Sequence, residues 1–196
     1  MQERDSGDPI ARDATDHRWV VFTPLMEELC NRLAVDLDGS FEEFVVVVRD
    51  DLHSGLRRLH GADGEDLAQE TLIRAYRALS SYEPDRIREL RLRPWIWTIA
   101  LNLGRNWIRD RARRPRAVAL DDEYGSEDPD PPDTAAWDAR LARLGVTQRR
   151  AVVLRHVIDL SYAEIAEVTG RPEGTVKADV SRGLARLRTI MEEEEQ

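Results

Sequence analysis

Two clusters of side chains in this 196-residue chain have the types and spacing for binding chemistry. The first lies in RPWIWTIALNLGRNWIRDRARR, residues 93–114, where Thr98, Asn102, Arg105, Asn106 and Arg109 recur at three- and four-residue intervals with Trp95 at their edge. Placed about 100° apart on a helix, they make one stripe that is wholly neutral or cationic. Asn and Arg bond base edges bidentately, and Arg pairs with phosphate through parallel N–H donors. A merely solvated face would mix Glu with Arg, so the stripe points to a polyanion. The second cluster, SYAEIAEVTG followed by RPEGTVKADVSRGLARLRTIM (161–191), predicts two helices of about 9 and 16 residues across a Gly-containing turn, the arrangement whose second helix enters the major groove.

Other chemistries find little support. Cys30 is the only cysteine, which excludes an intramolecular disulfide, and His17, His53, His60 and His156 lack metal-ligand spacing, so neither metal nor cofactor is expected. His60, Asp63, Glu65 and Asp66 gather carboxylates beside an imidazole, but GADGED (61–66) reads more simply as a turn than as an acid–base site. No enzyme is expected. No apolar run reaches the length of a membrane helix and the first residues are acidic, which predicts a cytoplasmic protein without a membrane partner.

The net charge of -9 hides its own distribution. Residues 86–116 hold ten basic and two acidic side chains, and 140–188 hold ten and five, whereas 117–139 hold eight carboxylates and no cation. Of the 29 cations, all but Lys177 are arginine, which suits phosphate and guanine contacts. The stretch 117–138 adds three prolines to its acids and reads as a flexible linker.

The elements that must position these clusters are all helical in their apolar spacing. Ser40 with Glu43 makes a capping box ahead of Phe41, Phe44, Val48, Leu52, Leu56 and Leu59. A second helix carries Leu67, Leu72, Ile73, Tyr76 and Leu79 inward and ends by Pro84; a third, the basic one, begins near Pro94. Ile96, Ile99, Ala100, Leu103 and Trp107 form one apolar arc of that helix and Trp97, Leu101 and Ile108 another, so its tryptophans read as core anchors between neighbours. Upstream, 1–18 is expected to be disordered and Pro24–Leu37 to form a short helix capped by Thr23; past the linker, 146–157 is a further helix. The prediction is an all-α fold of two small helical domains joined by a flexible acidic linker, the second containing a helix-turn-helix. Its parts are an extension (1–39), a first domain (40–116), the linker (117–138), a second domain (139–191) and an acidic tail (192–196).

Together these segments resemble the sigma-70 family of bacterial RNA polymerase initiation factors, within it the extracytoplasmic-function (ECF) group. DLAQETLIRAYRAL (66–79) is similar to the family's polymerase-docking helix, the basic segment to its −10 helix, and SYAEIAEVTGRPEGTVKADVSRGLARLR (161–188) to its −35 helix-turn-helix. The resemblance implies that Asp66, Gln69, Glu70 and Arg74 contact the clamp of the polymerase's largest subunit, and that the loop 80–93 captures a base flipped from the non-template strand. It implies that Trp95, Thr98, Asn102, Arg105, Asn106 and Arg109 read or hold the −10 element, with Arg111, Arg113, Arg114 and Arg116 on phosphates. At −35 it implies Thr175, Lys177, Ser181 and Arg182, with Arg149, Arg150 and Arg155 on DNA backbone or on the flap of the second-largest subunit. Ile165, Ala166, Val176, Val180, Leu184 and Leu187 would be the core of the helix pair. The implied function is a non-enzymatic sigma factor that directs core polymerase to promoters and nucleates melting, with promoter DNA, core polymerase and commonly an anti-sigma factor as partners.

Three departures from the family pattern stand out: Ala178-Asp179 after TVK, where a carboxylate facing phosphate would weaken binding; Leu144-Gly145 in place of Leu-Pro; and the long start. The alternatives are a helix-turn-helix regulator that never enters polymerase, an interaction protein that sequesters another factor, and an α-helical enzyme. The first explains residues 140–190 but leaves DLAQETLIRAYRAL without a reason.

Overall fold

The computed structural model describes residues 16–113 and 132–195, with side chains from 25 to 110 and from 134 to 195. The fold is all-α. Its helices are α1 (Asp16–Val35), α2 (Leu37–His60), α3 (Gly64–Leu79), α4 (Pro84–Arg88), α5 (Leu92–Arg113), α6 (Pro132–Ala142), α7 (Val146–His156), α8 (Tyr162–Thr169) and α9 (Glu173–Glu194), with one 3₁₀ turn, Gly61–Asp63.

Several boundaries differ from the expected ones. Helix α1 starts at Asp16 and continues through Pro24, so Thr23 is not its cap; of the stretch expected to be disordered, 1–15 lies outside the described residues and 16–18 are helical. Its second half buries Leu29, Cys30 and Leu33 against α2 and α4, packing that outweighs the lost proline hydrogen bond. Helix α2 is capped by Asp36, whose carboxylate accepts from the Gly39 N–H at 3.0 Å, and Ser40 sits inside the helix. The expected box does not form because the helix begins at Leu37, ahead of Ser40, and Glu43 instead accepts from both terminal nitrogens of Arg32, at 2.5 and 2.7 Å. The loop 80–93 contains α4, entered through Pro84 in its first turn. Residues 117–131 of the expected linker, and 114–116 at the end of the expected first domain, lie outside the described residues, and from Pro132 onward the stretch read as linker is helical.

Helix α3 turns a different face inward than its large apolar residues suggest. Leu67, Thr71, Ala75 and Leu79, four residues apart, are buried together with Ala68, while Ile73 is 46% and Tyr76 37% exposed. Thr71 donates to the Leu67 carbonyl at 2.6 Å, which satisfies its buried hydroxyl. The small side chains let α3 lie close against α2 and α5, a closeness that Ile73 would prevent.

The helices before and after the acidic stretch share one contiguous apolar core. Helix α5 packs on α8, and α2 on α6 and α7. Their meeting point is Gly55, where an added Cβ would lie 2.4 Å from the Trp97 ring and 2.7 Å from Ile158 Cδ1. The Arg93 guanidinium, in a residue only 9% exposed, crosses this seam: it donates to the Ile158 carbonyl, to the Asp159 carbonyl at 3.2 Å and to the Asp51 carboxylate at 3.4 Å. Outer pairs join Arg57 to Asp138 at 3.2 Å, and Arg91 to Glu167 at 2.8 Å and Glu164 at 3.2 Å.

Candidate nucleic-acid interface

Helix α5 is anchored by its first half and, among the described residues, uncovered over its second. Leu92, Ile96, Trp97, Ala100, Leu101 and Leu103 are buried, and from Arg105 to Asp110 every residue is exposed. Trp107, 41% exposed, and Ile108, 49% exposed, are therefore not the core anchors that their arcs predicted. The helix outruns the neighbours that cover its other turns, and periodicity cannot register where a partner helix stops.

The polar stripe is assembled along this helix. Trp95 is half-buried, its ring 6.3 Å from Tyr82 and 6.5 Å from Phe44, which fixes it at the border of core and surface. Thr98 donates to the Pro94 carbonyl at 2.9 Å, while Asn102, Arg105, Asn106 and Arg109 are exposed. Arg105 donates to Asn102 Oδ1 and Arg109 to Asn106 Oδ1 at 3.1 Å, so each arginine is held by an amide three residues earlier. These bonds leave the amide NH₂ groups and most guanidinium donors facing outward. Arg113 lies in the last turn of α5, its side chain and that of Arg111 outside the described residues, as Arg114 and Arg116 are altogether. In the preceding loop, the Arg86 guanidinium lies 3.8 Å over the Tyr82 ring.

On α3, Asp66, Gln69 and Arg74 are exposed and Glu70 is half-buried, accepting from Arg74 Nε at 2.7 Å. Ile73 lies beside them and gives the polar face an apolar centre. Tyr76 donates to Asp38 at 2.5 Å, and that bond pushes its hydroxyl above the ordinary value.

In the second group of helices, the capping box of Ser161 and Glu164 forms as predicted, and Gly170 closes α8 at φ 67° in the left-handed region that favours glycine. Pro172 opens α9. Thr175 is half-buried; Lys177, exposed, pairs with Glu173 at 2.7 Å; Ser181 and Arg182 are exposed. Asp179 does not face phosphate: it is 3% exposed and accepts from Arg171 and, at 2.7 Å, from Arg182. Its place on the inward stripe Val176, Asp179, Gly183 was readable, but its charge suggested the surface. Leu184, expected in the core, is 38% exposed, because α7 approaches so near that a Cβ at Gly183 would meet Val152 Cγ2 at 2.6 Å. Arg155 spans the turn before α8, donating to Asp159 at 3.0 Å and to the Leu160 carbonyl at 3.4 Å.

Arginines of both groups converge at the seam. Arg149 and Arg150 are half-buried, and burial, then Arg105, Arg171 and Arg149, hold the Arg150 guanidinium below its ordinary value. His60 at the end of α2 is lowered by burial and then by Arg149 and Arg150, against a smaller opposing effect of Asp63. The acidic tail is tied back: Glu194 pairs with Arg140 at 2.7 Å, and Glu193 with Arg143 at 2.5 Å. Among the described residues, no group of His, Cys, Asp and Glu could hold a metal ion, and no helix is long and apolar enough to cross a membrane.

The structure thus combines a helix-turn-helix, a helix bearing an acid-free Asn and Arg stripe, and ahead of that helix an exposed mixed polar and apolar face on α3, the features of a helical nucleic-acid-binding class. Residues 45–114 match the family model for Sigma-70 region 2, and 134–187 that for Sigma-70, region 4. The chain is 33% identical over 156 residues to the RNA polymerase sigma-E factor of Streptomyces avermitilis, covering 78% of this chain and 85% of that protein. It is 35% identical over 164 residues to the ECF RNA polymerase sigma factor SigE of Mycolicibacterium smegmatis, covering 78% of this chain and 62% of that longer protein. A solved structure of the sigma factor RpoE in complex with the anti-sigma factor NepR from Bartonella quintana superposes with a TM-score of 0.62 at 28% identity, covering 78% of this chain and 96% of that one. The chain belongs to the ECF group of the sigma-70 family.

Proposed function

We propose that this protein is a non-enzymatic, cytoplasmic promoter-specificity subunit that binds core RNA polymerase, recognises −10 and −35 elements and nucleates melting. The observation that carries the reading is the acid-free stripe on the exposed half of α5, in the same chain as a helix-turn-helix whose second helix exposes Lys177, Ser181 and Arg182. Asp66, Gln69, Glu70 and Arg74 dock on the polymerase clamp, with Ile73 as the apolar anchor that a protein contact needs at its centre. Asn102, Arg105, Asn106 and Arg109 read or hold −10, with Trp95 and Thr98 at the border, and Trp107 joins this surface as an exposed ring for an unstacked base. Thr175, Lys177, Ser181 and Arg182 serve −35. Arg155, engaged with Asp159 and Leu160, holds the turn that presents α8 and reaches DNA backbone only at its edge. The domain boundaries of the reading are 40–116 and 139–191, with α6 belonging to the second unit's approach.

The two elements stand about 25 base pairs apart, roughly 85 Å along the duplex at about 34 Å per ten base pairs. With α8 packed on α5, both reading helices cannot reach them together, so the seam separates on the promoter. An anti-sigma factor that favours the packed arrangement would keep the protein off DNA. Run-off transcription with core polymerase on a promoter library tests the function: discrete, promoter-dependent transcripts are expected, and failure to support any would refute it. Binding of an operator by the free chain, without retention of core polymerase, would favour a helix-turn-helix regulator.

A further inference from the structure

We propose that Asp179 is a positioning residue for −35 recognition: its buried carboxylate fixes Arg182 on the outer face of α9 and ties the turn to that helix through Arg171. The inference rests on the reading of α9 as the −35 helix. Asp179 occupies an inward position between Val176 and Gly183, where a lone carboxylate would be strongly disfavoured. Two guanidinium groups compensate it. Arg171 comes from the turn between Gly170 and Pro172 and bonds Oδ2; Arg182 comes from one turn further along α9 and bonds Oδ1 at 2.7 Å.

The two arginines are not equivalent. The Arg171 side chain is 35% exposed and its bond fastens the turn to the second turn of α9, which sets the height at which Thr175 and Lys177 are presented. The Arg182 side chain is 58% exposed, with one terminal nitrogen committed to Asp179 and its other donors outward. A guanidinium already held in one direction loses less freedom when it meets a base or phosphate, and it rejects geometries that a free arginine would accommodate. A carboxylate in a DNA-reading helix thus acts here through the arginines it aims, without touching DNA.

The test uses the full chain reconstituted with core polymerase and a promoter library randomised at both elements. Asp179→Asn keeps the shape and removes the charge. It is expected to retain the wild-type −10 preference while discrimination among −35 sequences falls about tenfold, and the free chain's non-specific DNA binding should steepen in its salt dependence by about one released counterion. The double variant Arg171→Met with Asp179→Leu replaces the pair by apolar groups, a change buried pairs commonly tolerate. It should melt near the wild-type temperature and yet show the same blurred −35 preference. Unchanged −35 discrimination in Asp179→Asn overturns the inference. So does loss of both −10 and −35 preference in step with melting temperature in the two variants, which would mark Asp179 as a folding residue. A wild-type chain that enriches no −35 sequence refutes the sigma-factor reading itself, and the inference with it.

Discussion

Replacing Arg93 by alanine should open the seam between the two groups of helices. Its guanidinium serves the Ile158 and Asp159 carbonyls on one side and Asp51 on the other, from a residue 9% exposed. Removing it leaves two carbonyls without this donor, at about 1–3 kcal/mol each where water cannot reach. Because separation of the helices hydrates those carbonyls, the loss falls on the packed form, and about 3 kcal/mol shifts the balance toward separation by roughly 150-fold. Energy transfer between dyes on cysteines introduced at the exposed Ser80 and Ser181 reports it directly. Cys30 does not interfere, since burial, reinforced by Glu27, pushes its thiol up to about 11. Arg91→Ala serves as control: its guanidinium is 58% exposed and so pairs with Glu164 and Glu167 from the solvent side, worth about 0–1 kcal/mol each. The expected result is a low-transfer population in Arg93→Ala and none in Arg91→Ala. Unchanged transfer with a lowered melting temperature would show that Arg93 supports its own group of helices alone and refute the argument.

Other outcomes follow from the same geometry. Gly55→Ala places a Cβ 2.4 Å from the Trp97 ring; overpacking of about 2 kcal/mol should lower the thermal midpoint by about 4–8 °C, and an unchanged calorimetric midpoint would contradict the packing. His60 and His156 are held below their ordinary value, His60 by burial and then Arg149 and Arg150, His156 by burial and then Arg155. The unfolded chain therefore binds more protons as pH falls past 6.5, and urea midpoints should decline there, less steeply in His60→Gln; identical slopes would exclude His60 as a contributor. Alanine at Asn102 or Arg109 should weaken −10 use by about 1–3 kcal/mol per lost base contact, with retention on immobilised core polymerase unchanged. Loss of helical circular dichroism in both variants would instead make the stripe structural.

Local sequence signals located the helices well and their neighbours poorly. The capping box at Ser161, the break at Gly170 and the prolines at 84 and 172 act within a few residues, so spacing alone exposes them. What failed depended on partners distant in sequence. Ser40 lost its capping role to Asp36, which starts α2 four residues earlier, and its expected partner Glu43 is engaged by Arg32 from another helix. Ile73 and Leu184 face outward because Ala75 and Gly183 allow a closer approach than large side chains would. Trp107 and Ile108 satisfy an apolar arc on a part of α5 that no described helix covers. At the candidate interface, the Asn and Arg stripe was legible because it lies on one helix. The burial of Asp179 was not, because it depends on an arginine across the turn.

The charges along the seam also make the protein sensitive to ions in two opposite senses. Arg57 and Arg91 meet Asp138, Glu164 and Glu167 across it, with the arginine side chains 37% and 58% exposed. Added salt screens such pairs over about 10 Å at 0.1 M and so loosens the packed arrangement, releasing cations to face outward. The same salt weakens every contact with a phosphate backbone. Binding of DNA by the free chain should accordingly pass through a maximum as ionic strength rises, where a rigid basic protein would show only a monotonic decline.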